Sequence, residues 1–164
     1  MVAPVREMAP LTARAAEGIA TFETYQGPTV GYAEQVYAYD LLGDAGGRTL
    51  ALLYNAGGNR GLAVRFNRNE LPCFTVWKNT AALEDGYVTG LEPATNFPNL
   101  KTFERQQGRV RVLPPGGRWG CTWSLEVFDT KEGVSGALAE VAALQAHGRR
   151  TIHATPQPRF SPLS

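Results

Sequence analysis

Hydrophobic and polar residues alternate along most of residues 34–128, which is the pattern of β-strands that have one buried face. Clusters of Gly, Pro, Asn and Asp separate the alternating runs, as turns separate short strands. Strands are predicted at residues 35–42, 48–55, 62–66, 72–77, 86–91, 109–113 and 118–128. So many short strands between turns favour an all-β fold, an antiparallel β-sandwich, over a parallel α/β sheet.

Two glycine-rich clusters, at residues 43–47 and 57–61, are interpreted as turns. The first would join the strands at 35–42 and 48–55 into a hairpin. Neither cluster opens a helix after a strand, as a phosphate-binding loop would, so neither indicates nucleotide binding.

Residues 132–147 change to a helical pattern, in which Val134, Leu138, Val141 and Leu144 or Gln145 are three or four positions apart. This spacing predicts an amphipathic helix of about four turns that packs on the sheet or on a partner chain. We therefore divide the chain into four parts. They are an extended lead-in segment (1–33), a β-sandwich domain (34–128), one C-terminal helix (129–150) and a proline-rich flexible tail (151–164).

The composition is that of a globular protein, with 43% hydrophobic and 19% charged residues in a chain long enough for one domain with a real core. A formal charge of +1 predicts no nucleic-acid partner and no anionic membrane partner. Arg109 and Arg111 alternate with valines, which favours the solvated face of a strand over a phosphate-binding patch. Without a signal peptide or a transmembrane stretch, a cytoplasmic location is expected.

The chain has two cysteines, Cys73 and Cys121, in separate strand-like runs. This spacing favours two buried thiols over a disulfide in a reducing compartment. The histidines, His147 and His153, do not cluster with the cysteines, so we expect no metal site and no cofactor.

The segment Gly90–Asn99 carries the strongest candidate chemistry. Glu92 follows an alternating run, and Pro93 is expected to end the strand there. A carboxylate fixed at a strand's end, beside a loop rich in amide side chains, is suited to removing a hydroxyl proton. The alternative is a surface glutamate that precedes a turn.

This segment resembles the C-terminal signature of the aldose 1-epimerase (galactose mutarotase) superfamily, in which a Leu-Glu run with a following Pro and Asn carries a general base. The chain more closely resembles an uncharacterised bacterial branch of that superfamily, over about Arg14 to Phe128. The runs 31–37 and 77–79 are also typical of that branch. The resemblance implies part of a large two-sheet supersandwich, of which this chain matches only the C-terminal half.

The resemblance implies a sugar site in which Glu92 is the catalytic base. Burial beside Trp77 and Phe97 would raise the pKa of Glu92 toward the working range. Substrate-binding roles are implied for Glu34 (sugar hydroxyls), Trp77 (stacking), Asn79, Asn96 and Arg105. Other interpretations stay open: a solvated Glu34, a core Trp77 and an Asn96 that caps its turn.

The superfamily's general acid, a histidine, is not found at a matching position, since His147 and His153 lie beyond the last predicted strand. Three hypotheses therefore remain open. The chain is an epimerase-type isomerase that acts on a small-molecule carbohydrate, a non-catalytic sugar-binding module, or a truncated piece used only for assembly. Sheet edges left uncovered in a half supersandwich make a homo-oligomer the expected state.

Overall fold

The computed structural model describes residues 1–162 of the 164-residue chain. Within them the strands are β1 (Val5–Pro10), β2 (Gln35–Leu41), β3 (Arg48–Tyr54), β4 (Gly61–Asn67), β5 (Cys73–Asn79), β6 (Val88–Ala94), β7 (Trp123–Phe128) and β8 (Thr151–Ile152). They form a large sheet of order β6-β5-β2-β1-β8 and a small sheet of order β3-β4-β7. All neighbouring strands are antiparallel except β1 and β8, which are parallel.

The two sheets pack face to face, as the alternating pattern of the strands requires. In β2, Tyr37, Tyr39 and Leu41 point into the space between the sheets, where Phe74 of β5 stacks on Phe66 of β4 with ring centroids 5.6 Å apart. The side chains of Val36, Ala38 and Asp40 point to the opposite side of the large sheet, which we call the outer face. The predicted β-sandwich is confirmed.

The helices are α1 (Ala13–Glu17), α2 (Lys101–Gln106) and α3 (Lys131–Gln145). Helix α3 begins after Thr130, whose hydroxyl accepts a hydrogen bond from Gly133 N at 3.1 Å. Its buried stripe packs on the far face of the small sheet, in a cluster of Leu50, Leu52, Ala63, Ala137, Val141 and Leu144. The predicted C-terminal helix is therefore confirmed, and it packs on the sheet.

The lead-in segment predicted for residues 1–33 is wrong, because β1 lies inside the large sheet between β2 and β8. Met8 and Ala9 are both fully buried, although they point to opposite faces. A strand that is buried on both faces loses the polar alternation by which strands are recognised, so the pattern of β1 gave no signal.

The flexible tail predicted from residue 151 is also wrong for the described residues. Thr151 and Ile152 pair with β1, and Phe160 is fully buried against Phe97, with ring centroids 5.2 Å apart. Ion pairs from Arg159 to Glu7 and Asp40 hold the same segment. Such contacts depend on single side chains and leave no periodic pattern; residues 163 and 164 lie outside the described residues.

Two further predictions about the strands are wrong. Residues 42–47 lead from β2 in the large sheet to β3 in the small sheet, so this turn does not close a hairpin. The hairpin is formed instead by β3 and β4, across the second glycine cluster. Residues 109–113 are not a strand, and β7 begins only at Trp123.

The cysteines are both free, but only Cys73 is buried, whereas Cys121 is exposed. Burial raises the pKa of the Cys73 thiol to about 12, so this side chain behaves as a small apolar group. The expectation of two free thiols is confirmed, but the expectation that Cys121 is buried is wrong.

A buried ion pair fixes the segment between β6 and β7. Glu104 of α2 is completely buried and accepts hydrogen bonds from Arg109 Nε and Nη2 at 2.6 and 2.7 Å. Asn99 Nδ2 and Phe97 N also donate to it, at 2.8 and 3.1 Å. Burial alone would raise the pKa of Glu104, but the hydrogen bonds and the charge of Arg109 outweigh it and lower the pKa. Arg109 is therefore a partner of Glu104, not part of a solvated strand face.

Replacing Glu104 by Gln should strongly destabilise the fold, because it leaves the Arg109 cation partly buried without a counter-charge. We expect a loss of about 3–5 kcal/mol in the free energy of unfolding, measured by urea denaturation at pH 7. Since the pKa of Glu104 is lowered, its contribution is present above its ordinary pKa of 4.5 and is lost as the pH falls through the folded-state value. The variant should therefore lose less stability than the wild type between pH 5 and pH 2.

The exposed Glu84→Gln is the matched control and should leave the urea midpoint unchanged. Equal midpoints for Glu104→Gln and wild type at pH 7 would contradict the role assigned to the pair.

Candidate functional site

The candidate site lies on the outer face of the large sheet, and strand register places its residues. Across β2, β5 and β6, Val36 is opposite Trp77 and Trp77 is opposite Gly90. Two pairs further along β5 and β6, and so on the same face, Thr75 is opposite Glu92. Directly opposed residues share a face, so Trp77 and Glu92 lie on the same face as diagonal neighbours. The register therefore brings together two of the residues predicted from sequence.

Trp77 is held by a hydrogen bond to Glu34. The indole Nε1 donates to Glu34 Oε2 at 2.6 Å, and Glu34 precedes β2, the strand next to β5. The bond fixes the orientation of the ring, which is partly buried, while Glu34 is exposed. Trp77 is thus a residue of the outer face and not of the core between the sheets.

Glu92 lies within β6 and not at its end. The strand continues to Ala94, and Pro93 pairs with Phe74, so the expectation that Pro93 ends the strand is wrong. Proline is tolerated here because β6 is an edge strand, whose outward-facing positions need no N–H donor. Partial burial raises the pKa of Glu92 above its ordinary value of 4.5, although the residue is exposed to solvent. Such a carboxylate is a better base than a fully hydrated one.

The other predicted substrate-binding residues are less close to this pair. Asn79 is on β5, two residues beyond Trp77, and its Nδ2 donates to Gly86 O at 3.4 Å. Asn96 is in the loop after β6, where its Nδ2 donates to Phe97 O at 2.8 Å, which is the turn-capping role. Arg105 is exposed on α2. Neither Asn96 nor Arg105 makes a hydrogen bond to the residues of the outer face.

One half of the outer face is covered by other parts of the chain. Phe97 and Phe160 pack there on Ala9, Ala38 and Cys73. Asn99 Nδ2 donates to Phe160 O at 2.8 Å and so joins the two covering segments. The uncovered half contains Trp77 and Glu92, and the covering segments form a wall beside it. Phe97 therefore belongs to this wall, beside Phe160.

Neither histidine is placed to assist Glu92. His147 follows α3, which lies on the far side of the small sheet. His153 Nε2 is 2.8 Å from Glu7 Oε1 on β1, three strands from β6, or about 14 Å at ordinary strand spacing. Within residues 1–162, no group of three or more His, Cys, Asp or Glu side chains could hold a metal ion.

Gly90 is the residue of this site that sequence reasoning missed. It lies within β6, directly opposite Trp77. Glycine inside a strand often marks a close approach of another group, and this signal was present in the sequence.

Comparison with known proteins agrees with the fold. A crystal structure described as "a putative aldose 1-epimerase from Klebsiella pneumoniae subsp. pneumoniae MGH 78578" superimposes with a TM-score of 0.90 and 34% sequence identity. The match covers 94% of this chain and 40% of that one. The chain therefore has an aldose 1-epimerase-like fold and spans less than half of the solved relative. This match gives no support to the narrower expectation of a C-terminal half alone.

A match to a sequence family model shows the family of the chain. Residues 1–127 match the family described as "Domain of unknown function (DUF4432)", and the chain belongs to that family. Comparison with curated proteins gives no significant match. Among residues 1–162, no helix has both the length and the apolar character needed to cross a membrane.

Proposed function

We propose that the chain binds a carbohydrate on the uncovered half of its outer face, with Glu92 as a general base on the anomeric hydroxyl. The observation that supports this most is the arrangement around Trp77, which is hydrogen-bonded to Glu34 and shares its face with Glu92. An aromatic ring can stack on the C–H face of a pyranose, and a carboxylate can accept hydrogen bonds from two neighbouring hydroxyls. The likeness to a protein described as an aldose 1-epimerase supports the same substrate class.

In the proposed reaction, Glu92 takes the proton of the anomeric hydroxyl as the bond between the anomeric carbon and the ring oxygen breaks. The ring oxygen takes a proton from an acid, and the open-chain aldehyde forms. Rotation about the bond between C1 and C2 and the reverse steps give the other anomer. We assign no acid among the described residues, so the complete cycle requires an acid from elsewhere. Asn79, Asn96 and Arg105 stay predictions as sugar contacts, as does a cytoplasmic location.

Removing the Trp77 ring should abolish sugar binding. NMR titration of the wild type with a panel of aldoses and sugar phosphates should give saturable shifts at the Trp77 indole and at the Asn79 side-chain amide. Trp77→Ala should lose the response at Asn79, because the stacking surface is gone. Trp119→Ala, which removes a tryptophan from the loop before β7, is the matched control and should bind normally.

Circular dichroism of Trp77→Ala should remain that of the wild type, so that loss of binding is separated from loss of fold. No shift with any sugar in the wild type would exclude carbohydrate binding and leave assembly as the better explanation of the chain.

Glu92→Gln tests catalysis separately from binding. The amide has the shape of the carboxylate but does not accept a proton, so anomer interconversion should slow by about 10²- to 10⁴-fold. Sugar binding should persist within a few-fold, since the stacking surface is intact. Interconversion is measured by NMR exchange between the two anomers, with Glu84→Gln as the control.

An unchanged rate in Glu92→Gln would rule out its role as base. Binding by a wild type that shows no interconversion would identify the second hypothesis, a non-catalytic sugar-binding module.

Self-association is proposed for the edge at β7. Trp123, Leu125 and Val127 point to the side of the small sheet that faces the large sheet, yet 55%, 54% and 74% of their surfaces are exposed. Beside them, an apolar groove of about 580 Å³ reaches Leu91 and Pro93 on β6. Both β6 and β7 are edge strands, and an exposed apolar edge favours association with another chain.

Leu125→Lys should therefore shift the protein toward the monomer. The measurement is the weight-average mass by sedimentation equilibrium over a range of protein concentrations. Val30→Lys is the control, because Val30 is 83% exposed in a loop away from β7. A wild type that is monomeric at all concentrations would exclude the proposal.

A further inference from the structure

The side chain of Glu92 occupies the space beside Gly90. A Cβ atom at residue 90 would lie 2.2 Å from Glu92 Oε1 and 2.9 Å from Glu92 Cδ. Real Cβ atoms essentially never come within 3.0 Å of another heavy atom. Glu92 therefore folds back along β6 and fills the position that any other side chain at residue 90 would take.

The backbone at Gly90 does not require glycine. The glycines with positive φ are Gly31, Gly47, Gly58, Gly86, Gly108 and Gly116, and Gly90 is not among them. Glycine inside a strand costs stability, because it loses more conformational freedom on folding and packs no side chain. The presence of glycine at residue 90 is therefore explained by the space that it leaves for the Glu92 side chain.

This space is next to the centre of the candidate site. Gly90 is directly opposite Trp77, so the Glu92 carboxylate that lies over Gly90 is drawn along β6 toward the indole. The indole is fixed from the other side by its hydrogen bond to Glu34. Partial desolvation of a carboxylate held against the sheet agrees with the raised pKa of Glu92.

We infer that Gly90 is a positioning residue for Glu92: because it has no side chain, the carboxylate stays folded against the sheet opposite Trp77. The importance of this position for catalysis rests on the proposed function, whereas the position itself does not. In the presence of a methyl group at residue 90, Glu92 must turn outward into solvent.

The position of the Glu92 carboxylate is tested by titrating Glu92 in the Gly90→Ala variant. The titration is monitored through the NMR chemical shift of the Glu92 carboxyl carbon. In the wild type the pKa should lie above 4.5, and in the variant it should fall toward 4.5 as the carboxylate becomes hydrated. Gly120→Ala is the control, because no atom lies within 4 Å of a Cβ at that position. An unchanged Glu92 titration in Gly90→Ala would overturn the inference.

A second measurement tests whether the Glu92 side chain is the group that opposes a methyl group at residue 90. In the wild-type background Gly90→Ala should leave the urea midpoint nearly unchanged, because turning the flexible end of the Glu92 side chain away offsets the gain that alanine brings. In the Glu92→Ala background the same change should raise the midpoint, since the overlap is gone and alanine restricts the unfolded chain. An equal change in both backgrounds would show that the Glu92 side chain does not oppose the methyl group, and would also overturn the inference.

An assay of anomer interconversion distinguishes failure of this inference from failure of the proposed function. If the chain interconverts anomers, Gly90→Ala should reduce kcat by about 10²-fold with little change in KM, because the base is displaced while the stacking surface remains. If the wild type binds no sugar but the titration of Glu92 still shifts in Gly90→Ala, the proposed function fails and the positioning role stands.

Discussion

The carboxylate of Glu104 has no contact with water, and much of the outer face depends on how this charge is compensated. An isolated charge cannot be buried in a protein at acceptable cost, so each of its oxygens must be surrounded by donors. Those donors come from Phe97, Asn99 and Arg109, on both sides of α2. Arg109 also donates to Arg159 O at 2.9 Å, and this bond extends the cluster to the segment that contains Phe160. The wall beside the candidate site is thus one connected unit.

The sheet provides the other half of the site and does so by register. Because Trp77 and Glu92 are on adjacent paired strands, their separation follows from backbone hydrogen bonds and not from loop conformation. Glu34 adds a side-chain bond to this arrangement. The site therefore combines residues fixed by strand register with a wall that the buried Glu104–Arg109 ion pair stabilises.

The elements that sequence could predict are those with one polar and one apolar face. Strand β2 alternates between Tyr37 or Tyr39 on one side and Ala38 or Asp40 on the other, and α3 repeats its apolar residues at helical spacing. Strand β1 could not be found in this way, because both of its faces are covered. The predictions for Arg109 and Phe160 failed for another reason: each is placed by a partner distant in sequence or by a buried charge, and neither gives a local pattern.

The candidate site shows the same division. Glu92 and Trp77 could be chosen as candidates by resemblance and residue type, but their placement as diagonal neighbours depends on the pairing of β5 with β6. The expectation that Glu92 ends its strand is wrong because β6 is an edge strand, which tolerates Pro93, and only the order of the sheet reveals this. Gly90 could be noticed in the sequence, yet its meaning depends on which way the Glu92 side chain turns. That direction is a property of the packed sheet.

The parallel pairing of β1 with β8 also has a consequence for the order in which the molecule is assembled. Glu7 and His153, which are 146 residues apart, are joined by a side-chain contact, and their strands are hydrogen-bonded neighbours. Contacts between residues so far apart in the sequence raise the contact order of the fold, and a higher contact order goes with slower folding. During synthesis, β1 can pair with β2 as soon as that hairpin leaves the ribosome. The other edge of β1 can pair with β8 only after nearly all of the described chain has been translated.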